Sequence, residues 1–279
     1  MHRVFQACSQ LTRTPCSAES APLSLVETET RGPVGILWLN TAKNLNVLTK
    51  QMRAEICQGL LELAGKPRVR VIILASKVEK AFCAGVDLKE LNGHTKEKQL
   101  QKNILGGLEV AFSLVEQPIV ACVHALALGG GFELALMSDL IVASEDAKMA
   151  LPEVNAGLVP GLGGSQRLTK ALGRYAGNYH IMTGEPIPIS FALQSGLVQK
   201  VAKRSEVFQV ALDLANLLAS KPSTSLKLIK KCTQAAQDTN TMNGCGVETG
   251  FFAESMDQKA KKIGISAIFE KRKPDFSEV

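Results

Sequence analysis

Three glycine-bearing segments carry the residues whose types and spacing could do chemistry. They are Ala81-Phe82-Cys83-Ala84-Gly85-Val86-Asp87-Leu88-Lys89-Glu90, then Leu128-Gly129-Gly130-Gly131-Phe132-Glu133, and finally Pro152-Glu153 followed by the glycine-rich run from Gly157 to Gly164. A phosphate-cradling loop is the first use of glycine to test, and it fails: the chain has no GxxxxGK[ST], no complete GxGxxG after a strand, no HExxH and no GxSxG. A second use remains. A strand that ends in Gly129-Gly130-Gly131 and opens a helix leaves backbone N–H groups unpaired at the positive end of the helix dipole, suited to a developing oxyanion. Glu133, in the first turn of that helix, is carried beside the same spot. It either complements the dipole, as first-turn acids commonly do, or takes part in a reaction at the oxyanion.

The elements that must position these residues can be read from apolar spacing. Leu25 to Thr30 and Val34 to Leu39 flank Arg31-Gly32-Pro33 in the pattern of a hairpin. Met52, Ile56, Leu60 and Leu63 form one helical stripe that starts near Thr49. Val69 to Leu74, Ile119 to Val123 and Leu140 to Ala143 are apolar runs of the kind covered on both faces of a sheet, and Phe132 to Met137 reads as a helix between the last two. Strand, turn, helix and strand in series imply α/β architecture with crossover connections. From about Val207 onward helical stripes follow one another with no strand between them, with Val210, Leu214, Leu217 and Leu218 forming the first.

Composition narrows the function classes. Of 279 residues, 46% are hydrophobic and 21% charged, which is the balance of a folded globular protein. The net charge of +6 is spread along the chain apart from Lys271-Arg272-Lys273, so it favours an anionic ligand without demanding nucleic acid. Seven cysteines with no CxxC pair and no clustered histidines argue against a disulfide framework or a metal site, and for a reducing compartment. The nearly apolar run Ile119 to Met137 is no membrane span, because three glycines interrupt it and Glu133 would lie unpaired in lipid. Residues 1–22, with Arg3, Arg13 and no acid before Glu19, are expected to form a flexible leader, which reads equally as an organellar transit peptide or as a start with no address.

Taken together, AFCAGVDLKEL, ALALGGGFELALMSD, LPEVNAGLVPGLGGSQRL and the terminal FEKRKPDF resemble the crotonase (enoyl-CoA hydratase/isomerase) superfamily in order and spacing, over roughly Leu23 to Val279. The resemblance implies a spiral of repeated ββα units over residues 23–205, with a mostly parallel sheet and a smaller second one, and a helical C-terminal region over residues 206–279 used in trimer formation. It implies that the N–H groups of Val86 and Gly130 form an oxyanion hole for an acyl-CoA thioester. Ala84, Asp87, Lys89 and Lys271 would bind substrate, with the Ala84 carbonyl near the adenine and Lys271 reaching CoA phosphates, often from a neighbouring subunit. The hydratase subgroup has glutamates at two positions, matched here by Glu133 and Glu153, and a glycine N–H, matched by Gly161, that helps hold the attacking water. Two such carboxylates suit addition of water across a 2,3-double bond: Glu133 takes the proton from water and Glu153 supplies one to C2. Asn40-Thr41-Ala42 stands where the family has Asn-Arg-Pro, and Leu151 where short-chain hydratases carry glutamine, changes that bear on chain length more than on reaction type.

The expected activity is therefore hydration of 2-trans-enoyl-CoA to 3-hydroxyacyl-CoA by a homotrimer or a hexamer built as a dimer of trimers. Coenzyme A enters as part of the substrate, and no metal or redox cofactor is expected. The expected compartment is the mitochondrial matrix, otherwise the cytoplasm. Alternative readings are double-bond isomerisation, hydration of methylglutaconyl-CoA (which one relative combines with RNA binding), and a non-catalytic CoA- or RNA-binding subunit. Intact Glu133, Glu153 and glycines oppose the last, and Lys50, Arg53, Lys66 and Arg68 are too sparse for a nucleic-acid face. His124, Asp139, Arg167 and Cys83 read as packing, ion-pair or capping residues.

Overall fold

The computed structural model describes residues 24–101, 103–276 and 279; the leader expected over residues 1–22 lies outside them. Strands β1 (Val26–Arg31) and β2 (Val34–Leu39) form the expected antiparallel hairpin. Helix α1 (Lys50–Ala64) follows, capped by the Thr49 side chain, which accepts from the Met52 amide, and it buries the stripe Met52, Ile56, Leu60 and Leu63.

Strands β3 (Val71–Ser76), β5 (Ile119–Val123), β7 (Leu140–Ser144) and β9 (Lys200–Ala202) then add in parallel, giving a six-stranded sheet of order β1-β2-β3-β5-β7-β9. The apolar runs have no polar alternation because both faces are covered. Leu37, Ile72, Leu74, Ala121 and Ile141 pack into one core, while Ile36, Ile73, Val120 and Val142 pack into a second core closed by helix α9 (Val207–Ala219). The helical C-terminal region thus begins with an element that shares its core with the sheet.

A second, three-stranded parallel sheet has the order β4 (Ala81–Cys83), β6 (Leu126–Leu128), β8 (Lys148–Ala150). Each turn of the chain contributes one strand to each sheet: β3 then β4, β5 then β6, β7 then β8. This is the repeated ββα spiral of the crotonase fold. Between turns lie α2 (Leu88–Asn92), α3 (Lys96–Gln101), α4 (Gly106–Leu114) and α5 (Gly130–Met137), then a 3-10 turn at Pro152–Ala156 and helices α6 (Gly164–Leu172), α7 (Arg174–Thr183) and α8 (Ile189–Gln194).

Beyond α9, helices α10 (Ser223–Asp238), α11 (Thr241–Met256) and α12 (Lys259–Phe269) complete the chain. Lys230 of α10 is buried and ties this region to the sheet, its ammonium lying 2.8 Å from Asp139 and donating to the Gln117 carbonyl at 2.9 Å. Helix α11 buries none of its residues, and Met242 (85% exposed), Phe252 (64%) and, on α12, Phe269 (82%) face outward. No helix among the described residues is long and apolar enough to cross a membrane.

Candidate active site

The strands of the small sheet run in the same direction, and the segment after each one carries part of the site. β4 leads into Ala84-Gly85-Val86, β6 into the glycine triplet, and β8 into Leu151-Pro152-Glu153. With β6 in the middle, the glycine triplet lies between Val86 and Glu153. Residues 86, 130 and 153, far apart in sequence, meet for this reason.

Gly129 makes the turn. Its φ of +50° is a region that side chains other than glycine rarely occupy, and its amide donates to Ala150 O at 2.9 Å. A Cβ at Gly129 would lie 2.8 Å from Glu153 Oε1, so the Glu153 carboxyl rests directly against this turn. Likewise a Cβ at Gly130 would lie 3.5 Å from Val86 N, which measures how closely the two expected oxyanion turns face each other. Gly130 is the first residue of α5, whose opening N–H groups have no acceptor within the helix.

Glu133 is 1% exposed, and its Oε1 accepts from the amides of Leu162 at 2.8 Å and Gly164 at 2.7 Å. Burial pushes its carboxyl above the ordinary range; those two amides, the Arg167 guanidinium and the Gly161 amide oppose the shift without cancelling it. Glu153 is pushed up to about 7, chiefly by burial and further by the negative charge of Glu133, against a bond from its own backbone amide. Its Oε2 is buried and has no hydrogen-bond partner. Two carboxyl groups therefore share one region in different surroundings. One is gripped by backbone donors, while the other is free to hold a proton near neutral pH.

The loop from Gly157 to Gly164 supplies the grip. Arg167 Nη1 donates to the Leu162 carbonyl at 2.6 Å and lies 3.6 Å from Glu109 Oε1. The Leu162 and Gly164 amides, and Glu109 as the partner of Arg167, were not singled out by the sequence reading; the only signal for them was the doubled glycine at Gly163-Gly164. Asn46 was missed as well. It is fully buried, donates to Ser76 Oγ (2.8 Å) and the Phe82 carbonyl (2.9 Å), accepts from Thr41 N (2.7 Å), and so secures the loop after β2 to the end of β4.

The remaining sequence candidates fall as follows. Asp87 caps α2, accepting from the Lys89 amide at 2.9 Å, and Lys89 is exposed one turn beyond Val86. Ala84 donates its amide to Leu45 O, leaving the Val86 side of the turn open to the glycines. Gly161 turns its amide toward Glu133, as noted above. Lys271 is exposed, and Lys273 of the same basic cluster shares a crevice with Pro33 and Arg70, the residues just before β2 and β3. Cys83 donates to Asn46 O, and burial pushes its thiol up to about 12, the state of a packing residue. His124 bonds Val78 O at 3.0 Å, and Asp139 accepts from the Ile119 amide at 2.7 Å. A crevice of 720 Å³ opens beside the C-terminal end of α5, with Met137, Asp139, Arg167 and Gln237 on its walls, one helix length away from the glycine turn.

A spiral of this kind, with two facing glycine-bearing turns and a pair of carboxyls, one buried and one half-buried, defines a protein of the crotonase class. A family model described as enoyl-CoA hydratase/isomerase matches residues 29–279, and the chain belongs to that family. It is 36% identical to a probable enoyl-CoA hydratase of Rhizobium meliloti, with 89% of this chain and 96% of that protein covered. It is 32% identical to a short-chain-enoyl-CoA hydratase of Clostridium acetobutylicum, over 90% and 97% of the two chains. Among solved structures, an enoyl-CoA hydratase subunit I from Geobacillus kaustophilus superposes with a TM-score of 0.88 at 36% identity, over 92% of this chain and 99% of that one.

Proposed function

We propose that this chain is an enoyl-CoA hydratase that adds water across the 2,3-double bond of 2-trans-enoyl-CoA. The thioester oxygen accepts from the Val86 and Gly130 amides, which stabilise the enolate-like charge that develops on it. Glu133 removes a proton from water as the oxygen attacks C3, and Glu153 delivers a proton to C2. The proton gained by Glu133 then returns to Glu153 or solvent, restoring both groups. Coenzyme A participates only as part of the substrate, with Ala84 and Lys89 lining its path beside the Val86 turn.

The observation that carries this reading is the unequal pair: Glu153 with an unpartnered oxygen and a pKa of about 7, beside Glu133 held by two amides. A group that titrates near neutral pH is suited to deliver a proton, and a neighbour whose carboxylate form is gripped by amides is suited to accept one. Isomerisation can run on a single carboxylate, so the pair favours hydration.

Loss of absorbance from crotonyl-CoA tests the proposal. Glu133→Gln and Glu153→Gln should each lower kcat by about 10²–10⁴; near-normal turnover by either variant would overturn it. Conversion of 3-enoyl-CoA, measured in parallel, reports the isomerase reading. The exposed apolar residues of α11 and α12 support assembly of copies into trimers or hexamers, in which Lys271 would reach a neighbour's CoA phosphates; sedimentation gives the copy number. The acid-free first eighteen residues support delivery to mitochondria, as does a relative from Pongo abelii named as a mitochondrial enoyl-CoA hydratase.

A further inference from the structure

The Gly157–Gly164 loop is mostly exposed and has one side chain of its own in the core, Leu162. Besides that side chain, the turn bonds Gly157 N to Val154 O and Leu158 N to Glu153 O, and the amides given to Glu133, its backbone is fixed by helices on either side. Helix α4 supplies one, with Leu105 at its start so close that a Cβ on Gly161 would lie 3.1 Å from Leu105 Cδ1. Helix α6 supplies the other, through Arg167, which binds the Leu162 carbonyl at 2.6 Å and faces Glu109 of α4 at 3.6 Å. The peptide units on both sides of that carbonyl are thereby set, and the amides of Leu162 and Gly164 point at Glu133 Oε1.

We propose that Arg167 is a positioning residue for Glu133: bridging the Leu162 carbonyl and Glu109, it aims the loop amides at the Glu133 carboxylate. Arg167 does not touch the reacting atoms. It acts in two ways, through the backbone it orients and through its positive charge one peptide unit from the carboxylate. Both contacts are made by one nitrogen, Nη1, and a lysine, which keeps the charge, ends one atom shorter and cannot place its ammonium where Nη1 lies. Glu109 flanks the guanidinium at 3.6 Å, and the charge felt by the Glu133 carboxyl is that of Arg167.

The inference rests on Glu133 as the base that takes the proton from water. Among the described residues, the charged groups that bear on Glu133 are Glu153 from the 3-10 turn and Arg167 from α6, with Glu109 of α4 beside Arg167. Only Arg167 among them is positive. Its loss must raise the pH at which Glu133 ionises, whereas loss of Glu109 removes a negative charge and cannot raise it by Coulomb interaction.

The test compares Arg167→Met, Arg167→Lys and Glu109→Gln in the full chain, following kcat/KM against pH for crotonyl-CoA together with the 13C-carboxyl NMR titration of Glu133. For Arg167→Met the acidic limb and the NMR titration should both move up by about one pH unit. For Arg167→Lys they should stay near their original place while kcat falls. For Glu109→Gln, kcat should fall with no upward movement of either. A Glu133 titration unmoved in a folded Arg167→Met, or moved up equally by Glu109→Gln, would overturn the inference. Wild-type protein that fails to hydrate any enoyl-CoA refutes the function assigned above, while an upward NMR shift in Arg167→Met would still uphold the positioning role.

Discussion

Replacing Glu153 by Gln should make the protein more stable and less active at the same time, and the gain should depend on pH. The Glu153 carboxyl ionises at about 7 in the folded chain, against an ordinary value of 4.5. The folded state therefore holds a proton that the unfolded state has released over that interval. Stability falls as pH rises from about 4.5 to about 7, and the whole penalty is present above. Taken at full weight the shift corresponds to about 3 kcal/mol; the side chain is half-buried rather than sealed off, and discounting for solvent access leaves about 1–2 kcal/mol. Glutamine has the same shape and no charge, so it removes the penalty. At pH 8 the melting temperature of Glu153→Gln should exceed that of the wild type by about 2–4 °C, and at pH 4.5 the two should coincide. Differential scanning calorimetry across this range, with hydratase activity measured on the same samples, makes the comparison. A pH-independent difference, or a variant less stable at pH 8, would refute the claim that burial and the charge of Glu133 raise the Glu153 pKa.

Two further substitutions probe the scaffold. Gly129→Ala forces a Cβ into a backbone at φ +50° and to 2.8 Å from Glu153 Oε1; it should cost about 1–2 kcal/mol by thermal unfolding and lower kcat more than it raises KM. Lys230→Met leaves Asp139 without its cation and should cost about 2–4 kcal/mol in urea unfolding, while Asp139→Asn with Lys230→Met should recover part of the loss.

The sequence by itself determined the elements whose patterns are long enough to have a period. The Met52-Ile56-Leu60-Leu63 stripe, the apolar runs at Ile119 and Leu140, and the hairpin around Gly32 form where their spacing predicts, because burial of a repeated face is decided locally. The glycine triplet and Glu133 were legible too, since a helix opening on glycines exposes amides wherever it is placed. The three strands that assemble the site were not. β4, β6 and β8 are three residues each, too short to carry a period, and only their parallel pairing brings Val86, Gly130 and Glu153 together. Tertiary structure also decided what the carboxyls are. The donors to Glu133 lie twenty-nine and thirty-one residues along the chain, and the pKa of Glu153 is set by burial and by a charge twenty positions away. An electrostatic environment is a sum over neighbours in space, and no local pattern of residues encodes it.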